Sequence, residues 1–253
     1  MSLNTMIYSQ LADETARRVT ENGEEWKAFL KTSARLYKYP YEDQLMIYAQ
    51  KPGATACAEY DTWNDAMNRY VKRGSKGIGL VDYSRDRPRM RYVFDVSDTG
   101  ERWNSRTVSL FSMKPEYREV IEDHLADTYS VEKQQLEAMI GMASIELAKE
   151  YWQDQETDIR SMTRGGFPAR TDEREIGRSF RRAAAASTAY GVMSRCTEEP
   201  DQYFRGDAFQ EITRFHSRRG ASALGSAVSR MTEEIFSGIV RAVSRRCYNL
   251  TGV

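Results

Sequence analysis

Apolar residues recur at helical spacing through most of this chain and alternate in one short stretch. Met6, Ile7, Leu11 and Val19 predict a first amphipathic helix over 4–20, and Trp26, Phe29, Leu30, Leu36 and Tyr37 a second over 24–37. Pro40 disfavours helical geometry at Tyr39 and ends it. A brief helix over 42–50, carrying Leu45, Met46 and Tyr48, stops at Lys51-Pro52-Gly53. Residues 54–59 then read as a short strand, and a short helix around Trp63 has Asp61 or Thr62 as N-cap and Asp65 in its first turn. Strands are predicted at 78–83 and 90–96, joined by a polar hairpin loop containing Pro88. In the second strand Met90, Tyr92, Phe94 and Val96 alternate with Arg91, Val93 and Asp95, which predicts the first set buried and Arg91 facing out.

Residues 97–113 are polar and irregular and mark the expected domain boundary. Beyond them helices are predicted over 115–129, with Pro115 suited to a first turn, and over 131–158 on a stripe through Leu136, Met139, Ile140, Ala143, Leu147 and Tyr151. The breaker run Arg164-Gly-Gly-Phe-Pro-Ala precedes a helix over 172–196, then one over 201–215. A last long helix over 221–247 carries Leu224, Val228, Met231, Ile235 and Ile239. Short loops between such stripes predict a small bundle. The expected class is α+β: an N-terminal helix (1–20), a small mixed helix and antiparallel-hairpin domain (21–110), and a helical domain (111–253).

Composition changes this picture little. At 253 residues, 40% hydrophobic and 11% aromatic, the chain can bury a core and is not a disordered sequence. Its net charge is zero, but the charges are segregated. Residues 114–160 hold twelve acids against five bases, near −7, whereas 69–91 hold eight bases against Asp82 and Asp86, near +6. Such asymmetry predicts separate electrostatic faces. Cys57, Cys196 and Cys247 lie far apart without CxxC spacing and read as reduced thiols of a cytoplasmic protein. No apolar run reaches the roughly 18–20 residues of a membrane span, and no signal-peptide core opens the chain. Because the chain stops closely after a strong helix, it is expected to be a piece of a longer protein.

Catalytic and cofactor motifs are missing. His124 and His216 are isolated from each other and from the cysteines, and there is no HExxH, so no metal is expected. Gly74-Ser-Lys-Gly-Ile-Gly has neither P-loop nor G-x-G-x-x-G order, and no G-x-S-x-G is found, so neither a cofactor nor enzymatic activity is expected. What remains is segment 60–82, where Trp63 precedes a basic turn, Val71-Lys-Arg-Gly-Ser-Lys-Gly. Lys72, Arg73 and Lys76 surround glycines whose amides can approach an anion, Arg69 extends the patch backward, and Arg85, Arg87, Arg89 and Arg91 continue it. Cations in a line neutralise phosphates, and nearby aromatics stack unpaired bases. Tyr39 is the aromatic assigned to this site, with Tyr37, Tyr41 and Tyr83 as further candidates, and Trp63 reads as a buried anchor. The plain alternative is a solvated hairpin.

The order Trp63, Val71-Lys-Arg-Gly-Ser-Lys-Gly-Ile, apolar strand resembles the N-terminal domain of ArdC-type antirestriction proteins. The stretch Leu36-Tyr-Lys-Tyr-Pro-Tyr-Glu-Asp-Gln-Leu-Met-Ile-Tyr-Ala-Gln-Lys-Pro-Gly, with Trp63-Asn and Arg89-Met-Arg-Tyr-Val-Phe-Asp-Val-Ser-Asp, is more closely similar to the N-terminal region of large helicase and DNA-methylase-like proteins of Gram-positive conjugative transposons. That similarity covers most of 5–100 and continues loosely to Ala189-Tyr-Gly-Val-Met-Ser-Arg-Cys. It implies single-stranded DNA binding through Arg69, Lys72, Arg73 and Lys76, and a helicase or methylase region as partner within a longer protein. Ser75 departs from the usual Glu, and the catalytic parts of both families are missing, so no activity carries over. The rival expectation is a protein-binding anti-defence inhibitor or docking module, using the acidic helices around Glu122, Asp123 and Asp127.

Overall fold

The structure is a computed structural model that describes residues 3–82, 88–168 and 170–251. Three helices open the chain: α1 (Leu3–Val19), α2 (Gly23–Arg35) and α3 (Tyr41–Gln50). Asn22 caps α2, its side chain accepting from the amides of Glu24 and Glu25 at 3.0 and 2.9 Å. Five short strands follow: β1 (Cys57–Glu59), β2 (Arg69–Val71), β3 (Ile78–Asp82), β4 (Arg89–Asp95) and β5 (Thr99–Glu101). Four further helices close it: α4 (Arg118–Tyr129), α5 (Leu136–Thr163), α6 (Glu173–Cys196) and α7 (Arg218–Thr251). The fold is α+β, as the sequence predicts. Among the described residues no helix is long and apolar enough to cross a membrane.

The strands form two separate units. β1, β4 and β3 make an antiparallel sheet in that order, with Ile78 opposite Val93 and Cys57 opposite Asp95. β2 and β5 form an antiparallel ribbon, Arg69 opposite Glu101 and Val71 opposite Thr99. The outer edge of β3 is closed by Gln50, which donates to Gly79 O and accepts from Gly79 N, both at 2.9 Å. A side chain thus satisfies backbone groups that an open edge would expose.

Four local expectations are corrected. The Trp63 helix is a single π-helical turn over Thr62–Ala66, with no side-chain cap from Asp61 or Thr62. The helix expected over 201–215 is instead two 3-10 turns, Pro200–Tyr203 and Gln210–Phe215. Between them Phe204 and Phe209 meet the Tyr190 ring at 5.4 and 5.5 Å, an aromatic seat that a continuous helix would not fill from both positions. Within the irregular stretch 97–113 lies β5. The faces of β4 are inverted: Val93 and Asp95 are buried and Tyr92 is exposed. Register sets this outcome. Val93 shares its face with Ile78 and Leu80, and these pack with Leu36, Met46, Ile47 and Ala54 into a small core between sheet and helices. The polar neighbours on that face are satisfied there, Arg91 by Asp43 and Glu59, and Asp95 by the amides of Thr55 and Ala56.

The larger core crosses the expected boundary at 110/111. Ala16, Trp26, Phe29, Leu30 and Tyr41 belong to the same buried cluster as Phe180, Tyr190, Leu224 and Ile235. Trp26 Nε1 donates to Ser187 Oγ of α6 at 2.7 Å, and the Tyr37 ring meets Phe236 of α7 edge-on at 4.9 Å. Tyr41 lies so close on Gly225 of α7 that an added Cβ would sit 2.1 Å from its ring. Its buried hydroxyl has no hydrogen-bond partner among the described residues. A buried, unpartnered hydroxyl costs about 1–3 kcal/mol. Tyr41→Phe is therefore expected to hold or raise stability, by up to about 1 kcal/mol in a thermal melt. A clear loss would mean that the hydroxyl is bonded.

Candidate nucleic-acid interface

The basic turn is built on the ribbon. Past β2, Lys72 N still reaches across to Asp98 O at 2.8 Å, and Ser75 N closes on Lys72 O at 3.1 Å. Gly74 sits third in this four-residue turn with φ +85°, a left-handed position that a type II turn reserves for glycine. The reversal leaves Lys72, Arg73 and Lys76 exposed. Lys72 Nζ donates to Ser97 O at 2.9 Å, whereas Arg73 and Lys76 carry no ion pair or side-chain hydrogen bond among the described residues. Lys76 borders an open cleft with Tyr8, Gln50, Lys51 and Asp98, and the Asp98 carboxylate is neutralised by Lys51 at 2.7 Å.

Other residues assigned to the site serve the fold. Arg69 is 7% exposed, its Nε donating to Thr99 Oγ1 and a terminal nitrogen to Glu101 Oε1, both at 2.9 Å. It braces the ribbon rather than extending the patch. Arg91, expected to face out, is held between Asp43 and Glu59. Tyr39 donates its hydroxyl to Cys57 O at 2.8 Å, and burial pushes its phenol pKa up. Trp63 is 3% exposed and donates Nε1 to Phe94 O at 2.8 Å, the anchor the sequence suggests. Tyr37 and Tyr41 pack on or within the larger core. Arg89 is exposed on β4, and Arg85, Arg87 and Tyr83 lie outside the described residues.

The ribbon brings in four residues that the sequence reading passed over: Tyr70, Arg102, Trp103 and Arg106. Tyr70 lies opposite Gly100, and its ring covers that glycine so closely that an added Cβ would be 2.3 Å from Cζ. An aromatic ring covering a cross-strand glycine compensates for the missing side chain. The Arg102 guanidinium lies 5.8 Å from the Tyr70 ring centre and donates to Arg69 O at 3.0 Å and Asn64 Oδ1 at 2.8 Å. Trp103 and Arg106 are exposed on the turn that follows β5. The turn they occupy is tied down: Asn68 Nδ2 donates to Trp103 O at 2.8 Å, Ser105 Oγ to Asn68 O at 2.6 Å, and Arg106 N to Met67 O at 2.9 Å. Asn68 and Asn104 take the left-handed conformation, which asparagine tolerates better than most residues. Together, segments 69–76 and 99–106 hold Arg69, Lys72, Arg73, Lys76, Arg102 and Arg106 against one acid, Glu101, a net of +5. The signal within the sequence was the Thr-Gly-Glu-Arg-Trp-Asn-Ser run, a strand-and-turn pattern too short to be read without its partner.

Among the described residues no group of three or more His, Cys, Asp or Glu is placed to hold a metal ion. Burial pushes the Cys57 and Cys196 thiols up to about 12, which makes both poor nucleophiles. Burial, with Arg241 and Arg245 nearby, holds His124 below its usual range. Comparison with protein families, with curated proteins and with solved structures finds no match.

Proposed function

We propose that the chain is a DNA-binding module, favouring single strands and without catalysis of its own, that acts as an accessory or antirestriction-like part of a mobile-element protein. The observation that carries this reading is the pair of cations, Arg73 and Lys76, without a partner among the described residues and held on the Gly74 turn at the end of a ribbon with net charge +5. Cations not engaged with internal carboxylates are available to phosphates, whose contacts supply sequence-independent affinity. The ArdC-like arrangement of Trp63 and the turn supports the same reading, and a helicase or methylase region would be the partner in a longer protein. The acidic helices give less support to a docking or mimicry role. Glu122 is engaged by Arg118 at 3.7 Å and Asp123 by Lys133.

Fluorescence anisotropy of a labelled single-stranded oligonucleotide, titrated across a salt series, tests this. Binding is expected at low salt, with log affinity falling linearly in log salt. Replacing Lys72, Arg73 and Lys76 together by Ala should reduce that slope by about 2, since each single-strand phosphate contact contributes about 0.7. The three side chains are exposed, so circular dichroism should be unchanged. No binding at low salt, or an unaltered slope, would sink the proposal.

A further inference from the structure

Trp103 is 89% exposed, although a Trp side chain is ordinarily among the most buried on average. Its backbone is fixed, because Asn68 bonds its carbonyl and Ser105 Oγ accepts from Arg102 N at 2.6 Å. On the adjoining ribbon the ring of Tyr70, 43% exposed, covers Gly100, and the Arg102 guanidinium lies over that ring, 5.8 Å from its centre. Arg102 is fixed by Asn64 and the Arg69 carbonyl, so its plane is preset as well. No carboxylate engages Arg102 or Arg106 among the described residues.

We infer that this end of the β2–β5 ribbon is a base-stacking platform for single-stranded nucleic acid, with Trp103 as the principal ring and the Arg102–Tyr70 layer as a second surface. The inference rests on the nucleic-acid reading above and assigns to it two residues outside segment 60–82, Arg102 and Trp103. The charge argues for this occupant, since an exposed aromatic ring within a +5 ribbon fits a polyanion whose bases are free. Aromatic faces stack any base, and Arg adds a cation–π contribution. A rigid ring also loses little freedom on binding. The turn cations sit at the opposite end of the ribbon, roughly 14 Å away at about 3.4 Å per residue from Asn68 to Lys72. Phosphates would therefore engage the turn while bases reach Trp103. In a duplex the base faces are already stacked, so the platform contributes only to single-strand binding.

The test uses oligo-dT and a duplex of equal length with the full chain. Trp26, Trp63 and Trp152 are buried, so acrylamide quenching of intrinsic fluorescence reports chiefly on Trp103. Oligo-dT is expected to shield Trp103 from acrylamide. Trp103→Ala should weaken oligo-dT binding about tenfold or more, leave duplex affinity and the salt slope unchanged, and be largely restored by Trp103→Phe. If Trp103→Ala leaves oligo-dT affinity intact while the triple turn variant loses it, the platform is wrong and the DNA-binding reading stands. If oligo-dT does not bind even at low salt, both fall. Shielding of Trp103 that instead follows protein concentration in sedimentation runs would assign the face to a second copy of the chain and overturn the inference.

Discussion

Trp26→Ala is expected to destabilise the whole chain by about 4 kcal/mol, and to loosen the helices of 111–253 as much as those before residue 50. Trp26 is fully buried on α2, yet its indole nitrogen is bonded to Ser187 on α6, whose hydroxyl passes a bond on to Ala183 O at 2.6 Å. Truncation leaves a large cavity between the two parts and removes the indole donor from a buried hydroxyl. Urea unfolding followed by far-ultraviolet circular dichroism measures the loss, and hydrogen exchange shows where it falls. Protection lost in α6 and α7 together with α2 is the expected result. Loss confined to the first 110 residues would mean that the chain folds as two independent units.

The second large effect is at Asp95. Its carboxylate is 1% exposed and accepts from Thr55 N at 2.7 Å, Ala56 N at 3.0 Å and Ser97 N at 3.0 Å, with Lys51 4.0 Å away. Asp95→Ala leaves those amides without an acceptor, and a cost of about 3 kcal/mol or more follows from one to three per unsatisfied buried group. Asp95→Asn recovers part of this, because its amide oxygen still accepts from Thr55 and Ala56 while its amide nitrogen cannot accept from Ser97 N. Burial by itself would raise this carboxyl's pKa, but the bonds from Ser97, Thr55 and Ala56 outweigh it and hold the group below its ordinary 3.8. With the folded value depressed, the stabilisation is complete above the ordinary value and disappears as pH falls through the folded one. Wild type should thus lose stability relative to Asp95→Ala on acidification below about pH 4, and equal acid sensitivity in the two would contradict the assignment.

The candidate site was legible in part. The Lys72-Arg73-Gly74-Ser75 turn could be read directly, since a glycine among cations with an apolar strand behind it needs no distant partner to define it. Arg69 and Arg73 look equivalent in the sequence. They differ because β5 brings Thr99 and Glu101 to the first and nothing to the second. Tyr92 and Phe94 misled for a related reason. Size and apolarity favour them for the buried face of β4, but pairing with Ile78 assigns that face to Val93, and Asp43 and the Thr55–Ala56 amides make Arg91 and Asp95 tolerable beside it.

By itself, the sequence determined helices α1 to α7, the β3–β4 hairpin, the α+β class and the exposed basic turn. All of these depend on periodicity, capping and turn chemistry within a few residues. Only the tertiary structure decided which cations are engaged, which face of β4 is buried, that α2 and α6 share one core, and that Arg102 lies over Tyr70. Each of those depends on contacts between segments about fifteen or more residues apart, and the partner in such a contact leaves no mark on the local pattern.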